Sequence, residues 1–460
     1  MRHLACPEWG RIAVAQKGAQ GALSPREALA LEQAARSHPL GGRDGCAILT
    51  HYRDHVKVGQ LVGVLSAPGI SLEILPKIDP ASHLDNRSSL RARLVSLIDL
   101  AHDLRLAEGE AAAMARGAET LLDLFIRIFA TRLATQARQG LPRHYLARED
   151  DLRALRGQLH ATRQFTVNAV RPDRLACRYD ELDADIPLMQ VMACAIVSLR
   201  RRTRTLSTAR LLDELRYAFD DVTLLPPNRL PWQAITIERS NKRWESLLKV
   251  ARMLLGQDWQ GTGHKGSAPR GHSLLFPMND LFEKAVATLL RRGLADAGYD
   301  VRTQDQSRYC LRENSRDLFQ MRPDIVIRKN GRTVAIIDTK WKPLDADHLD
   351  RGHLDQNEHD AGGEPASLSG KGGVSQGDVY QMMAYGQVHD CAQLMLLYPA
   401  RPGSGSRMLR SFTVHPDGER TLSIAAVDMA ASPRASARAL RDLIVQSLDR
   451  TRPSPRQRAA

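Results

Sequence analysis

Residues 321–342 read Met-Arg-Pro-Asp-Ile-Val-Ile-Arg-Lys-Asn-Gly-Arg-Thr-Val-Ala-Ile-Ile-Asp-Thr-Lys-Trp-Lys. Arg322 to Arg328 is predicted as a strand with its proline at the start, where a missing N–H costs no ladder bond. Asn330-Gly331 is a hairpin signal, because both residues tolerate positive φ. Thr333 to Trp341 is predicted as a second, very apolar strand that ends in Asp338-Thr339-Lys340. Residues two apart on a strand share a face, so Asp338 and Lys340 point the same way. A surface hairpin with charged ends explains poorly why this triplet interrupts a strand as apolar as Val334-Ala335-Ile336-Ile337.

Those residue types suit phosphodiester hydrolysis. A hard divalent cation such as Mg²⁺ takes oxygen ligands and keeps several waters. A nearby lysine can orient the attacking water and offset charge developing on the phosphate. Asp324 and Asp338 are the candidate metal carboxylates, and Lys340 is the candidate catalytic lysine.

Register tests the idea. A two-residue Asn330-Gly331 loop pairs 329 with 332, an odd sum of 661, and turns Asp324 away from Asp338. A three-residue loop, Lys329-Asn330-Gly331 with Gly331 in the left-handed region, gives 660 and places Asp324 diagonal to Asp338 on one face. The chemistry therefore predicts the bulged three-residue turn.

Flanking segments add two candidates. Phe276-Pro277-Met278-Asn279-Asp280-Leu281-Phe282-Glu283 opens a helix predicted to run to about Leu294. Glu283 interrupts its apolar stripe of Leu281, Phe282, Val286 and Leu289. It reads either as a helix-start carboxylate favoured by the dipole or as a further acid at the metal site. Ser375 to Tyr385 begins another helix, on which Gln381 and Tyr385 share a face at i, i+4.

The rest of the chain is read outward from this region. Residues 1–84 are β-rich, with runs Ala47–Thr50, Val56–Val58, Leu61–Leu65 and Ile70–Leu75, and a Pro68-Gly69 turn. Residues 85–256 are mostly helical, with helices over Leu121–Arg138, Leu188–Arg201, Thr208–Phe219 and Ser240–Leu255, and a β-excursion at Leu155–Val170. A linker at 257–272 leads to a domain at 273–448. That domain carries a flexible insertion at 345–376 and is followed by a disordered basic tail, 449–460. The fold class expected is α/β, α+β overall: a mixed sheet flanked by helices behind a β-rich module and a helical middle region.

The chain has 460 residues, a net charge of +13 and six cysteines. The positive balance favours polyanions, nucleic acid first. No CxxC pair supports a zinc ribbon, so the cysteines read as reduced, mostly buried thiols. His51 and His55 lack a third ligand and read as surface residues. The acidic run Asp180 to Asp185 reads as a solvated face or helix cap. No apolar run nears the roughly 18 residues of a membrane span, and the N-terminus lacks an export signal. The cytoplasm is the expected location. No GxxxxGK[ST] occurs, so the chain is expected to bind no nucleotide through a P-loop.

Taken together, Arg322-Pro323-Asp324, Ile337-Asp338-Thr339-Lys340-Trp341-Lys342 and Asp378-Val379-Tyr380-Gln381-Met382-Met383-Ala384-Tyr385 resemble the McrC family, whose nuclease domain is of the PD-(D/E)xK, restriction-endonuclease-like type. Leu72-Glu73-Ile74-Leu75-Pro76-Lys77-Ile78, Gly140-Leu141-Pro142-Arg143-His144-Tyr145, Leu155-Arg156-Gly157 and Cys177-Arg178-Tyr179-Asp180-Glu181 extend the likeness over about residues 45–415. The resemblance implies a Mg²⁺-dependent DNA endonuclease subunit of a modification-dependent restriction system, a defence against foreign DNA cutting at modified cytosine. Its implied partner is an McrB-like AAA+ GTPase hexamer, which this chain would stimulate. Asp324, Asp338 and Lys340 carry over as nuclease residues, Glu283 as a further metal acid, and Gln381 as an accessory residue. Two other readings stay open: an adaptor that activates a GTPase with cutting secondary or lost, and a stand-alone RecB-type repair nuclease.

Overall fold

The computed structural model describes residues 2–15, 21–42, 44–77, 87–106, 120–171, 173–256, 273–342, 344, 374–414 and 420–449. The expected linker 257–272, nearly all of the 345–376 insertion and nearly all of the 449–460 tail lie outside the described residues. The architecture is mixed α/β, with several sheets and helices. The chain divides into two compact units, residues 1–117 with 275–460, and residues 118–274.

In the first unit β1 (Arg2–Pro7) runs parallel to β6 (Ile70–Leu75). A small sheet of β2 (Arg11–Ala13), β4 (His55–Val58) and β3 (Leu49–His51) lies beside it in the chain. β5 (Leu61–Ala67) pairs antiparallel with β6 around Pro68-Gly69, where Gly69 has φ +82°. Between β2 and β3 runs α1 (Pro25–Ser37), a helix absent from the β-rich expectation for this region. Its start is a capping box: Ser24 accepts from Glu27 N–H, and Glu27 returns to the Ser24 backbone. Leu31, Ala28 and Ala35 of α1 bury against Leu65, Ile70 and Leu72. α2 (Arg87–His102) is held by Arg91, which donates through Nε at 2.7 Å and through Nη2 to the two oxygens of Glu73.

The second unit opens with α3 (Leu121–Arg138), capped by Thr120 and ended by Gly140 at φ +97°. Its sheet differs from the β-excursion expected at 155–170. The long strands are β7 (His144–Leu152) and β9 (Leu175–Asp183), paired antiparallel along their full length, and they absorb much of the acidic run at 180–185. Between them lie only β8 (Gln158–Leu159) and the short α4 (Ala161–Thr166). β7 alternates between intermediate and exposed positions, so its sequence offers no buried apolar face as a strand signal. The helices α5 (Pro187–Arg200), α6 (Leu206–Ala218) and α7 (Glu245–Gly256) form the core with α3. Buried Asp123 on α3 accepts from Thr203 Oγ1 at 3.2 Å and Arg204 N at 3.0 Å, tying α3 to the α5–α6 connection.

The first unit resumes with β10 (Leu274–Pro277), which pairs with β5, and α8 (Met278–Leu294). Five strands follow: β11 (Tyr299–Thr303), β12 (Arg308–Glu313), β13 (Arg316–Met321), β14 (Ile325–Lys329) and β15 (Arg332–Thr339). Then come α9 (Gln376–His389), β16 (Gln393–Pro399), β17 (Arg407–Thr413), β18 (Thr421–Val427) and α10 (Pro433–Asp449). The main sheet has the order β11-β14-β15-β16-β18-β17. β15, β16 and β18 are parallel, and the outer strands are antiparallel. α9 covers the face carrying Ile336, Leu394, Leu396, Leu422 and Ile424. α8 and α10 pack on each other and against β15.

The expected boundaries at 84 and 273 therefore do not separate two bodies. β10 completes the N-terminal sheet and runs straight into α8. Trp341, two residues past β15, donates its indole N–H to Glu8 Oε1 at 2.8 Å, and its carbonyl accepts from Gln60 Nε2 at 3.0 Å. Glu8 is 1% exposed. Replacing Glu8 by Ala strands a buried indole N–H, which costs about 1–3 kcal/mol. Glu8→Gln keeps an acceptor. A urea titration should therefore rank the midpoints wild type, Gln variant, Ala variant, and equal midpoints for the Gln and Ala variants would contradict the contact's role.

The β14–β15 turn corrects the register argument. Lys329 pairs with Arg332, so the loop has two residues, Asn330 at φ +50° and Gly331 at φ +78°. The three-residue loop is absent because Asn-Gly takes the mirror-image turn whose twist matches the strands. The sum then changes from 661 to 662 between Arg328↔Thr333 and Ile327↔Ala335, leaving Val334 as a bulge. A Cβ on Gly331 would meet nothing within 4 Å, so only backbone strain opposes it. Gly331→Ala should cost about 1–2 kcal/mol and lower the thermal midpoint without changing the folded spectrum.

Candidate active site

The bulge brings the carboxylates together. Continuing the 662 register by one pair sets Asp324, just before β14, opposite Asp338 in β15. Asp324 Oδ2 accepts from Thr339 N at 2.8 Å and Thr339 Oγ1 at 2.9 Å, which locks its rotamer. Asp338 is 1% exposed, and its Oδ2 lies 2.7 Å from Lys340 Nζ. That approach lacks hydrogen-bond direction, so Asp338 Oδ2 is a buried oxygen with no hydrogen-bond partner among the described residues.

α9 supplies the other wall. Its N-terminus is a capping box of Ser375 and Asp378. Lys340 Nζ donates to Gln381 Oε1 at 3.3 Å and lies 3.6 Å from Asp378 Oδ1. Lys342 Nζ sits 2.8 Å from Asp378 Oδ2. Gln381 Nε2 donates to Tyr385 Oη at 2.8 Å, and Tyr385 Oη donates to the Arg322 carbonyl at 3.0 Å. Asp378 and Tyr385 join the site beyond the residues expected from the sequence. Asp378 is i−3 to Gln381 and so shares its face, a spacing that signals its place.

Glu283 lies on α8 beside Asp324, but its Oε1 accepts from Gln304 Nε2 at 2.6 Å. Gln304 also donates its backbone N–H to the Asp324 carbonyl at 3.0 Å. No group of three or more His, Cys, Asp or Glu side chains placed to hold a metal occurs among the described residues. Of the expected metal acids Asp324, Asp338 and Glu283, the last has its Oε1 engaged by Gln304 and feels the charge of Asp324. The donor set that does converge is the Asp324/Asp338 pair. It offers only hard oxygen donors, one of them buried with the Lys340 ammonium beside it, which fits Mg²⁺ with water completing its shell. His51 and His55 instead contact Glu32 at 2.8 Å and Asp54 at 2.7 Å.

The electrostatics fit a site built for a cation. Burial, reinforced by the charge of Asp324, pushes the Asp338 carboxyl up to about 6. Burial pushes Glu283 up to about 7, although the Gln304 bond opposes it. Burial also raises Asp324. For Lys340 burial acts downward, yet the ion pair with Asp338 leaves it above the ordinary lysine value. Two buried like charges repel, and a divalent cation relieves that repulsion.

A family model described as "McrBC 5-methylcytosine restriction system component" matches residues 56–399. One similar solved structure is a refined half-complex from a tetradecameric assembly of Thermococcus gammatolerans McrB AAA+ hexamers with bound McrC. The matched chain is 17% identical, with a TM-score of 0.66, and the match covers 97% of this chain and 100% of that one. Another is the cryo-EM structure of the Thermococcus gammatolerans McrBC complex, at 19% identity and a TM-score of 0.50, covering 64% of this chain and 88% of that one. At such identities the likeness speaks to fold. No curated protein matches. No helix among the described residues is long and apolar enough to cross a membrane.

The raised carboxyls set a pH dependence in metal-free protein. Folded Asp338 and Glu283 hold protons that the unfolded chain has already lost. Their stabilising contribution is complete below the ordinary carboxylate range, and it is lost as pH rises through about 6 and about 7. The thermal midpoint in EDTA should fall from about pH 5 to about pH 7.5, and Asp338→Asn should flatten the lower part of that fall.

Proposed function

This chain belongs to the McrBC 5-methylcytosine restriction system component family, and we propose that within such a system it is the subunit that cuts DNA. The reading is a Mg²⁺-dependent endodeoxyribonuclease with a PD-(D/E)xK site, working with an McrB-like AAA+ GTPase hexamer on DNA that carries modified cytosine. The observation that supports it most is the bulge-enforced opposition of Asp324 and Asp338 with Lys340 seated on Asp338.

Asp324 and Asp338 would hold Mg²⁺. The ion, when bound, supplies charge for the scissile phosphate and a supply of activated water. Thr339 keeps Asp324 in the ligand rotamer through two hydrogen bonds. Lys340, with its ammonium held between Asp338, Gln381 and Asp378, is placed to orient a water molecule and to offset charge developing on the phosphate. Gln381 positions Lys340, and Tyr385 positions Gln381. Glu283, raised toward neutrality, can exchange a proton with water beside the site.

The sequence contains no P-loop, so energy from GTP would come from the partner. Cutting and GTPase stimulation then reside in different parts of the complex. With the partner ring, GTP, Mg²⁺ and methylated DNA, Asp338→Ala should abolish cleavage. Lys340→Ala should lower it by about 10²–10³-fold. GTP hydrolysis by the ring should respond to either variant as it does to wild type. Undiminished cutting by Asp338→Ala would refute the nuclease assignment, and an adaptor role would then stand.

A further inference from the structure

The β12–β13 hairpin lies just ahead of Asp324 in the chain, with β12 beside α9. It forms a two-stranded sheet of its own, and every residue of β12 is exposed. An isolated two-stranded hairpin is only marginally stable in water, yet this one also exposes Tyr309 (41%), Leu311 (55%) and Phe319 (72%). Its charge is positive: Arg308, Arg312, Arg316 and the adjoining Arg322 stand against Glu313 and Asp317. Arg312 is neutralised by Asp317 at 2.9 Å. Arg308 and Arg316 have no ion pair among the described residues.

Phe319 is strained. It has φ +56°, a region that bulky side chains rarely adopt. The ladder passes from Tyr309↔Gln320 to Leu311↔Leu318 and skips it. No burial repays that strain, since the ring is exposed, so the conformation points to a use outside the folded chain.

Both roots of the hairpin are hydrogen-bonded into the candidate site. On the entry side Gln304 donates to the Asp324 carbonyl and to Glu283. On the exit side the Arg322 carbonyl accepts from Tyr385, which accepts from Gln381, which accepts from Lys340. Whatever the hairpin grips is therefore set in register with the carboxylates.

We propose that this hairpin is a DNA-engaging arm: Arg308 and Arg316 contact phosphates, and Phe319 is a wedge that enters a base step of the duplex beside the scissile bond. The proposal rests on the nuclease reading for its consequence, though not for its measurement. Phosphate contacts make binding salt-dependent, and an inserted apolar side chain unstacks a step in exchange for tighter wrapping.

The test uses the full chain and a fluorescent duplex oligonucleotide in EDTA, where nothing is cut. Arg308→Ala/Arg316→Ala should weaken binding and reduce the slope of log affinity against log salt by about 1.8, at about 0.9 per contact. Phe319→Ala should weaken binding by at least about fivefold with the slope unchanged, and Phe319→Trp should restore it. Cleavage by the assembled complex should fall in parallel. All the substituted side chains are exposed, so thermal midpoints should match wild type or exceed it. Unchanged affinity and slope in every variant would overturn the proposal, as would unchanged DNA binding together with lost stimulation of the partner GTPase, which would make the hairpin a protein contact. Asp338→Ala serves as the control: if it still cuts, the nuclease reading falls, while the binding measurement still decides the hairpin.

Discussion

The opposition of Asp324 and Asp338 depends on one extra residue, Val334, in the longer strand of a hairpin. Side chains alternate along a strand, so a change of one in the register sum moves a residue to the other face. The Asn330-Gly331 turn alone imposes the odd sum, which separates the carboxylates. The bulge converts it to an even one without altering the turn. Bulges recur next to active sites because they re-aim a side chain at small cost to the sheet. Here the cost is one unpaired residue near the turn end of the hairpin, where Thr333 and Val334 are only half-buried.

The re-aimed carboxylates then meet an environment made by three different elements. β15 supplies Asp338 and is followed directly by Lys340, α9 supplies Asp378, Gln381 and Tyr385, and the segment after β11 supplies Gln304. The side chains form a continuous hydrogen-bonded path from Lys340 to the Arg322 backbone. Burial of two like charges on one face is unfavourable in isolation, and it raises both carboxyls. The unfavourable term is offset by the bonds from Thr339 to Asp324 and the ion pair from Lys340 to Asp338, and bound cation would offset it further.

Modularity in this chain does not follow the order of its segments. The N-terminal sheet is completed by β10 from beyond residue 270, and its buried Glu8 fastens Trp341, the residue after Lys340. Trp341 also packs on Phe282, the neighbour of Glu283, with ring centroids 5.4 Å apart. The N-terminal module is thus part of the wall behind the candidate site. The helical unit of residues 118–274 has a core of its own and interrupts this body in sequence. An expectation built from successive composition shifts cannot recognise an interrupted domain, because composition is local and strand pairing is not.

Much of the candidate site was legible before any coordinates. Asp338 and Lys340 follow from period-two alternation, the Pro-Asp and Asn-Gly signals delimit the hairpin, and α3, α8 and α9 lie close to where helical spacing put them. These depend on residues within one or two turns of each other. α1 carries its own local signal in Ser24-Pro25-Arg26-Glu27, a capping box set inside an otherwise β-rich region. The bulge was not readable: in Thr333-Val334-Ala335-Ile336 no residue type marks which member loses its partner, since the choice is made by packing of the strand against β14 and β16. Glu8 and Trp341 are 333 positions apart, and Gln304 reaches Glu283 only once α8 and β11 are packed together. Local propensity and side-chain period determined which residues could do chemistry. Tertiary packing decided which of them meet, because pairing register and long-range hydrogen bonds are settled by the whole core at once.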